Sequence, residues 1–418
     1  MNWTQASGAR IYLVESPAIA MVDVRVDFDA GSRRDPADKI GLASVTASIA
    51  SQGVRASGAE PALDENALGE AWADLGATYS SSASSDRMSF SLRSLTYPDL
   101  LPKAVALAAR QMGEPSFPLH VWQRDRERML ASLKESRTRP ATIAGRAFAA
   151  AVYSGHPYGF EVTEASLAAI SPADMATLYA SAIKPCRAVV SIVGAVTRAQ
   201  ADTLVSQLLS KVDASAQNCA ALPAVAEVPA LTQAKDERIA FESAQAHVLI
   251  GQPGFKRDDP DFFALTVGNY TLGSGGFVSR LYGEVREKRG LSYSVYSNFS
   301  PALHAGAFTI GLQTRTDQAS QAVQVSREVL QKFVADGPTE VELKAAKDNL
   351  IGGFPLLIDT NSKLLGNVSN IAWNKLPLDY LDTWTQQVEK VTVADIRAAF
   401  ARKLQPQRMV TVVVGGTP

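Results

Sequence analysis

Hydrophobic residues recur along the chain with two different periods, and the two patterns alternate irregularly. In the first half, ARIYLVES, VDVRVDFDAG and SFSLRSL read as strands, while residues 42–52, 65–75, 101–112 and 122–136 have helical spacing. In the second half, FESAQAHVLIGQPG, residues 291–299 and AFTIGLQTR read as strands, and residues 318–335 and 339–350 as helices. Hairpin-compatible strands beside packed helices predict an α+β fold in which mainly antiparallel sheets are covered by helices.

An internal repeat relates the two halves of the chain. Residues 171–194 align without gaps on residues 392–415, at a constant offset of 221 positions. Each copy predicts a helix with a Ser or Thr cap, a proline break, and a buried β-branched strand that ends at glycine. We therefore expect two homologous tandem domains, residues 1–213 and 236–418, joined by an extended linker over residues 214–235.

A glycine loop, a charged helix and a strand are predicted to follow one another over residues 271–297. The loop contains three glycines that permit positive φ and close approach by another chain: Gly273, Gly275 and Gly276. An apolar run with helical spacing comes next, at Phe277, Leu281 and Val285. Gly290 predicts the end of the helix, and the alternation from residue 291 onwards predicts a strand.

Two residues of this stretch have side chains suited to chemistry. Arg286 lies in the last predicted helical turn and Tyr293 near the predicted strand start, so the turn at Gly290 can bring them together. Both are hydrogen-bond donors at neutral pH, and paired donors can hold a peptide carbonyl and stabilise its oxyanion. The alternative is structural: Arg286 would belong to a solvated face with a Glu284–Lys288 pair, and Tyr293 to the core.

Composition excludes several classes of function. The chain has 418 residues, 46% of them hydrophobic and 20% charged, with a formal net charge of −1. This balance is typical of globular domains and argues against nucleic acid as a partner. No apolar run is long enough to span a membrane, and the first residues do not predict a signal peptide, although a processed precursor fits as well. The two cysteines, Cys186 and Cys219, are expected to be unpaired structural thiols, with one disulfide as the alternative.

Three segments together resemble a known family. SRLYGEVREKRGLSYSVYS after the glycine loop, GGFPLLIDTN and LPLDYLDTW are similar to the C-terminal half of the pitrilysin and mitochondrial-processing-peptidase family of zinc peptidases. The resemblance covers essentially the whole chain and implies two domains that face each other across a cleft. It also implies that Arg286 and Tyr293, which match a family Arg and Tyr seven positions apart, contact the substrate near the scissile bond.

The zinc-binding motif of catalytic family members is absent from this chain. They carry H-x-x-E-H on the first helix of the N-terminal domain, where this chain has Ser44, Ala47 and Ser48. A further family glutamate aligns best with Ser132, with Glu127 and Glu135 nearby. Serine is a poor zinc ligand and alanine cannot be a base, so we expect no metal or other cofactor in this chain.

No other catalytic site is apparent from sequence spacing. None of the four histidines lies within a helical turn of another, so no pair has ligand spacing: His120, His156, His247 and His304. There is also no G-x-S-x-G nucleophile elbow and no phosphate-binding glycine loop.

The retained donors and the missing ligands predict the non-catalytic subunit of a heterodimeric zinc peptidase. A homologous partner would supply H-x-x-E-H and its zinc, while this chain binds an unfolded peptide through Arg286, Tyr293 and the loop Gly273 to Gly276. The loop glycines serve a tight turn in the alternative interpretation. Two other functions stay open, a scaffold with no part in proteolysis and a homodimeric peptide-binding protein. Resemblance to bacterial paired peptidases favours the periplasm over the cytoplasm.

Overall fold

The computed structural model describes residues 1–213 and 219–416. The chain folds into two compact units, each assembled from three segments. Unit 1 comprises Met1–Ala131, Val162–Val225 and Pro355–Leu378. Unit 2 comprises Ser132–Glu161, Ala226–Phe354 and Asp379–Pro418.

The strands, in chain order, are β1 (Asn2–Thr4), β2 (Arg10–Glu15), β3 (Met21–Phe28), β4 (Gly53–Val54), β5 (Leu63–Asp64), β6 (Thr78–Ala83), β7 (Met88–Leu95), β8 (Val189–Gly194), β9 (Lys235–Ile239), β10 (Gln245–Pro253), β11 (Val295–Phe299), β12 (Ala307–Arg315) and β13 (Val410–Val414). The helices are α1 (Leu42–Ala50), α2 (Glu65–Asp74), α3 (Leu101–Gly113), α4 (Leu119–Ser136), α5 (Pro140–Tyr153), α6 (Glu164–Ala169), α7 (Pro172–Ala182), α8 (Arg198–Leu208), α9 (Phe262–Asn269), α10 (Ala319–Asp336), α11 (Glu340–Gly353), α12 (Asn361–Asn374), α13 (Tyr380–Lys390) and α14 (Val393–Lys403). These elements confirm the predicted α+β class.

The two main sheets have the same strand order. In unit 1 the order is β1-β2-β8-β3-β7-β6, and β2 and β8 are the parallel pair among antiparallel neighbours. In unit 2 the order is β9-β13-β10-β12-β11, with β9 and β13 parallel. Leaving β1 aside, each strand of one sheet has a counterpart in the other, which confirms two homologous domains.

The predicted repeat folds as expected in both copies. Ser171 and Thr392 cap α7 and α14, each in a capping box with an aspartate three residues later. A proline-initiated 3-10 turn follows each helix, and then comes a fully buried strand, β8 or β13. The closing glycines, Gly194 and Gly415, have φ of +151° and +141°, and an added Cβ would lie 2.3 Å from Met21 O or 2.7 Å from Ala246 Cα. Close packing against the neighbouring strand therefore requires glycine at both sites.

Each half of the chain contributes one helical segment to the unit formed mainly by the other half, so the units do not follow linear domain boundaries. The segment with α5 comes from the first half of the chain but belongs to unit 2, where Phe148 and Val152 pack against valines of β13. The segment with α12 comes from the second half but belongs to unit 1, where Ser369 Oγ donates to the buried carboxylate of Asp27 at 2.7 Å. The prediction of domains over 1–213 and 236–418 does not contain this exchange, because local hydrophobic spacing carries no information about which sheet a helix covers.

The predicted linker is only partly described, since residues 214–218 lie outside the described residues. Residues 219–234 form no helix or strand. The expectation of unpaired thiols is wrong: Cys186 and Cys219 form a disulfide, with their Cα atoms 6.2 Å apart. Arg187 Nη2 also donates to Ala220 O at 2.9 Å, so residues 219–220 of the predicted linker lie against the turn that precedes β8. Among the described helices, none combines the length and apolarity that a membrane crossing requires.

Candidate functional site

The glycine loop of unit 2 consists of irregular helical turns. Gly273 lies in a π-helical segment, Tyr270–Ser274, and Gly276 begins a 3-10 turn, Gly276–Val278. A second π-helical segment, Tyr282–Glu287, follows. Hydrogen bonds such as Lys288 N–H to Gly283 O at 3.0 Å widen the second segment. Such π-helical turns occur frequently at functional sites. The sequence predicted a single α-helix here, because π-helical hydrogen bonding has no signal in hydrophobic spacing.

The three loop glycines have different surroundings. A Cβ on buried Gly273 would lie 2.5 Å from the backbone nitrogen of Ser297, so this glycine lets the loop cover the edge strand β11. Asn269 fastens the same edge, since its Nδ2 donates to Ser297 O at 3.2 Å. A Cβ on Gly275 would meet Tyr270 O at 2.6 Å, whereas Gly276, with φ of +62°, faces open space. Gly273 and Gly275 therefore serve packing, and Gly276 is the glycine open to a ligand.

Phe277 and Val278 form an apolar tip on this loop. Their side chains are 73% and 67% exposed, whereas Leu281 and Val285 are fully buried. The prediction that Phe277 shares a buried helical face with those two residues is wrong. The 3-10 turn takes Phe277 out of register with the helix that follows.

Tyr293 lies before the strand rather than within it. β11 begins at Val295, and Gly290, with φ of +61°, ends the helix through its N–H to Arg286 O at 2.8 Å. Tyr293 is 79% exposed although its neighbour Leu291 is buried, so the interpretation of Tyr293 as a core residue is wrong. Ser292 Oγ donates to Gln313 O at 2.6 Å and thereby holds this segment against β12.

Arg286 and Tyr293 lie together as the turn at Gly290 suggested. The guanidinium carbon of Arg286 is 4.6 Å from the ring centre of Tyr293 and 4.8 Å from that of Tyr282. The flanking charges form their own pairs: Glu284 binds Lys288 and Arg289, each at 2.6 Å. Hydrogen bonds from these two cations lower the pKa of Glu284, which keeps its carboxylate charged and occupied. Within the described residues Arg286 has no ion pair and no side-chain hydrogen bond, so its donors are available.

The helix α1 has Ser44, Ala47 and Ser48 at the positions of the family's zinc motif. Ser44 and Ser48 are exposed on one side of α1, but Ala47 is fully buried and its carbonyl accepts from Ser81 Oγ at 2.5 Å. Two serine hydroxyls and a buried methyl group do not fit a zinc ion. Over residues 1–213 and 219–416, no group of three or more His, Cys, Asp or Glu side chains is arranged to hold a metal.

A closed polar network lies at the C-terminal end of α1. Asp125 on α4 accepts from Gln52 Nε2 at 2.9 Å, and Gln52 also contacts Ser48 O at 3.4 Å. Arg124 binds Glu65 at 2.5 Å and lowers the pKa of that carboxyl by hydrogen bonding. On α4 the acidic side chain that reaches α1 is thus Asp125, whereas Ser132 belongs to the other unit. Sequence spacing missed this network because its members come from three separate segments.

Two family models match the chain. The model described as "Insulinase (Peptidase family M16)" matches residues 10–166, and the model described as "Peptidase M16 inactive domain" matches residues 169–350. A solved structure from Pseudomonas fluorescens, described as a peptidase M16 inactive domain, is 32% identical. The two align with a TM-score of 0.92 over 100% of this chain and 98% of that one.

Curated relatives carry two kinds of name. An uncharacterized zinc protease of Mycobacterium leprae is 30% identical over 282 residues, which cover 66% of this chain and 62% of the relative. The match thus spans less than two thirds of the length of that relative. A non-peptidase homologue, YmxG of Helicobacter pylori, is 26% identical over 91% of this chain and 86% of its own.

Proposed function

This chain belongs to the M16 peptidase family, and on that premise we propose that it is the non-catalytic, substrate-binding subunit of a heterodimeric zinc metallopeptidase. The inactive-domain model and the non-peptidase homologue support a non-catalytic member. The observation that carries the proposal is the contrast within the chain. Ser44, Ala47 and Ser48 cannot bind zinc, whereas Arg286 keeps free donors beside the exposed phenol of Tyr293.

The role of Arg286 and Tyr293 is to hold and polarise the scissile carbonyl of a peptide bound by both subunits. A guanidinium offers five N–H donors and a phenol one O–H. Donors aimed at a developing oxyanion stabilise the transition state, and loss of one costs on the order of 100- to 1,000-fold in rate. Among the described residues no carboxylate binds Arg286, which supports this role, because a bound carboxylate would occupy the same donors.

The glycine loop contacts the substrate through its exposed tip. Gly276 lets a peptide backbone approach closely, and the side chains of Phe277 and Val278 offer apolar contact. Of the three loop glycines, Gly276 is the one that contacts the substrate, since Gly273 and Gly275 pack against their own chain.

The partner is a homologous subunit that carries H-x-x-E-H. Its zinc, when bound, activates the attacking water, and this chain contributes no ligand to that ion. The disulfide between Cys186 and Cys219 supports a periplasmic location, since disulfides persist in oxidising compartments.

The test begins with an affinity pull-down of this chain from its native extract. Recovery at one-to-one stoichiometry of a similar-sized chain with H-x-x-E-H is expected. In that complex, Arg286→Ala and Tyr293→Phe should each lower peptidase turnover at least tenfold with zinc content unchanged. Arg289→Ala is the matched control, because Arg289 binds Glu284 and takes no part in the donor pair.

Unaltered turnover in both variants would contradict the proposal and favour a scaffold. The name of the Helicobacter pylori relative agrees with that second function. Recovery of the chain with a second copy of itself would instead favour a homodimeric peptide-binding protein.

A further inference from the structure

The guanidinium of Arg286 contacts two aromatic rings of unequal exposure. Its central carbon lies 4.8 Å from the ring centre of Tyr282 and 4.6 Å from that of Tyr293. Tyr282 is 8% exposed, whereas Tyr293 is 79% exposed. We infer that Tyr282 is a positioning residue that fixes the orientation of Arg286, so that the donors of Arg286 point edge-on at a peptide carbonyl. The peptide part of this inference rests on the proposed function, but the positioning does not.

Of the two tyrosines that contact Arg286, Tyr282 is the one held in place by the fold. It lies in the π-helical segment four residues before Arg286, on the same side of the helix. Phe277 packs edge-on against its ring, with the ring centres 4.9 Å apart and the planes at 89°. Tyr293 is held through its backbone neighbours while its ring faces solvent. The buried ring therefore gives Arg286 a permanent contact that does not depend on the exposed one.

Aromatic contact fixes a guanidinium without occupying its N–H groups. Rings attract the cation through its face, whereas carboxylates bind the N–H edges. Arg280, at the start of the same helix, illustrates the other arrangement, since Glu342 binds it bidentately at 2.8 and 2.7 Å. The N–H groups of Arg280 are thus occupied by Glu342, whereas those of Arg286 have no acceptor among the described residues. An acceptor for these N–H groups, such as a carbonyl oxygen, approaches in the guanidinium plane.

The decisive test measures the mobility of Arg286 in the isolated chain by nitrogen relaxation of arginine side chains. The Nε–H resonance of Arg286 is identified by its absence from Arg286→Lys. In the unaltered chain and in Tyr282→Phe, which keeps the ring, its order parameter should lie near the rigid range of about 0.8. In Tyr282→Leu it should fall below about 0.6.

Phe277→Ala is a second variant, chosen in case Tyr282→Leu misfolds. Phe277 is 73% exposed, so its truncation should leave the fold intact. It should raise the mobility of Arg286 less than Tyr282→Leu does. A mobile Arg286 in the unaltered chain would overturn the inference, as would an order parameter that Tyr282→Leu leaves unchanged.

Peptide cleavage by the reconstituted complex separates this inference from the proposed function. Tyr282→Leu should lower kcat about tenfold with little change in KM, and Tyr282→Phe should restore kcat to within about twofold, since donor orientation acts in the transition state. If Tyr282→Leu frees Arg286 while cleavage stays unchanged, the proposed function fails and the positioning stands. If cleavage falls equally in Tyr282→Phe and Tyr282→Leu, the ring is not what positions Arg286.

Discussion

Two helical arginines, Arg124 in unit 1 and Arg286 in unit 2, have opposite surroundings. Arg124 binds Glu65 at 2.5 Å, and its other donors reach Asp125 and Gln52, each at 3.0 Å. Arg286 contacts two aromatic rings and has no carboxylate partner within the part of the chain that is described. The first guanidinium is bound by acceptors of its own unit, and the second has no such acceptor among the described residues.

The two regions thus differ in how far their polar side chains are satisfied within the chain. Near the end of α1, Gln52 is bound to Asp125. Near Arg286, Lys288 and Arg289 both bind Glu284, and Arg286 takes no part in that pairing. Arg286 is only half-buried, so its N–H groups stay accessible to solvent and to a ligand.

The largest effect is expected when both donors of the second region are removed. In the peptidase complex, Arg286→Ala combined with Tyr293→Phe should lower turnover by about 100- to 1,000-fold, because the developing oxyanion loses its donors from this chain. The two losses should be less than additive, since the residues act as one unit. Turnover is measured on an unstructured peptide at saturating concentration.

Arg124→Ala is the matched control for that experiment. It should leave turnover within about twofold, because Arg124 binds only its own domain. Its stability should fall slightly, and less so at high salt, which screens exposed ion pairs. A loss of turnover in Arg124→Ala comparable to that in the double variant would abolish the distinction between the two arginines.

An intermediate effect is expected from the loop glycines, measured as the free energy of unfolding in urea. Gly273→Ala should destabilise unit 2 by about 1–3 kcal/mol, because the new Cβ would overpack against the backbone of β11. Gly276→Ala should cost about 1 kcal/mol for its left-handed backbone, since the space around it is open. Equal losses in the two variants would mean that Gly273 is not the packing glycine.

The sequence predicted those parts of the fold whose cause is local. The capped helices α7 and α14, their proline turns and the buried strands after them follow from residue spacing and cap chemistry. The nearness of Arg286 and Tyr293 also followed, because a single glycine turn joins them. These features depend on contacts between residues that are close in the chain.

Features that depend on distant partners could not be predicted. The exchange of α5 and α12 is decided by which sheet each helix covers, and the disulfide by the return of the chain from Cys219 to Cys186. The role of Tyr282 was also missed, because a tyrosine at helical spacing looks like an ordinary core residue. Its four-residue separation from Arg286 is the signal that was available.

The last effect concerns the carboxyl group of Asp35, which lies just before α1. Its carboxylate accepts from the backbone N–H groups of Gly41 and Ala43 at 2.8 and 2.9 Å and has no ion pair among the described residues. Burial, opposed by these hydrogen bonds, raises the pKa of Asp35 to about 6 from its ordinary 3.8. The folded state therefore binds this proton more tightly than the unfolded chain does. Its contribution to stability is present below pH 4 and is lost as the pH rises through 6.

Asp35→Asn should remove this part of the pH dependence, which amounts to at most about 3 kcal/mol for a shift of this size. The measurement is the urea unfolding free energy at pH 4, 5, 6 and 7, compared with that of Asp38→Asn. Asp38 lies exposed in the same loop, so its substitution should keep the slope. A slope that survives in Asp35→Asn would mean that another buried group titrates.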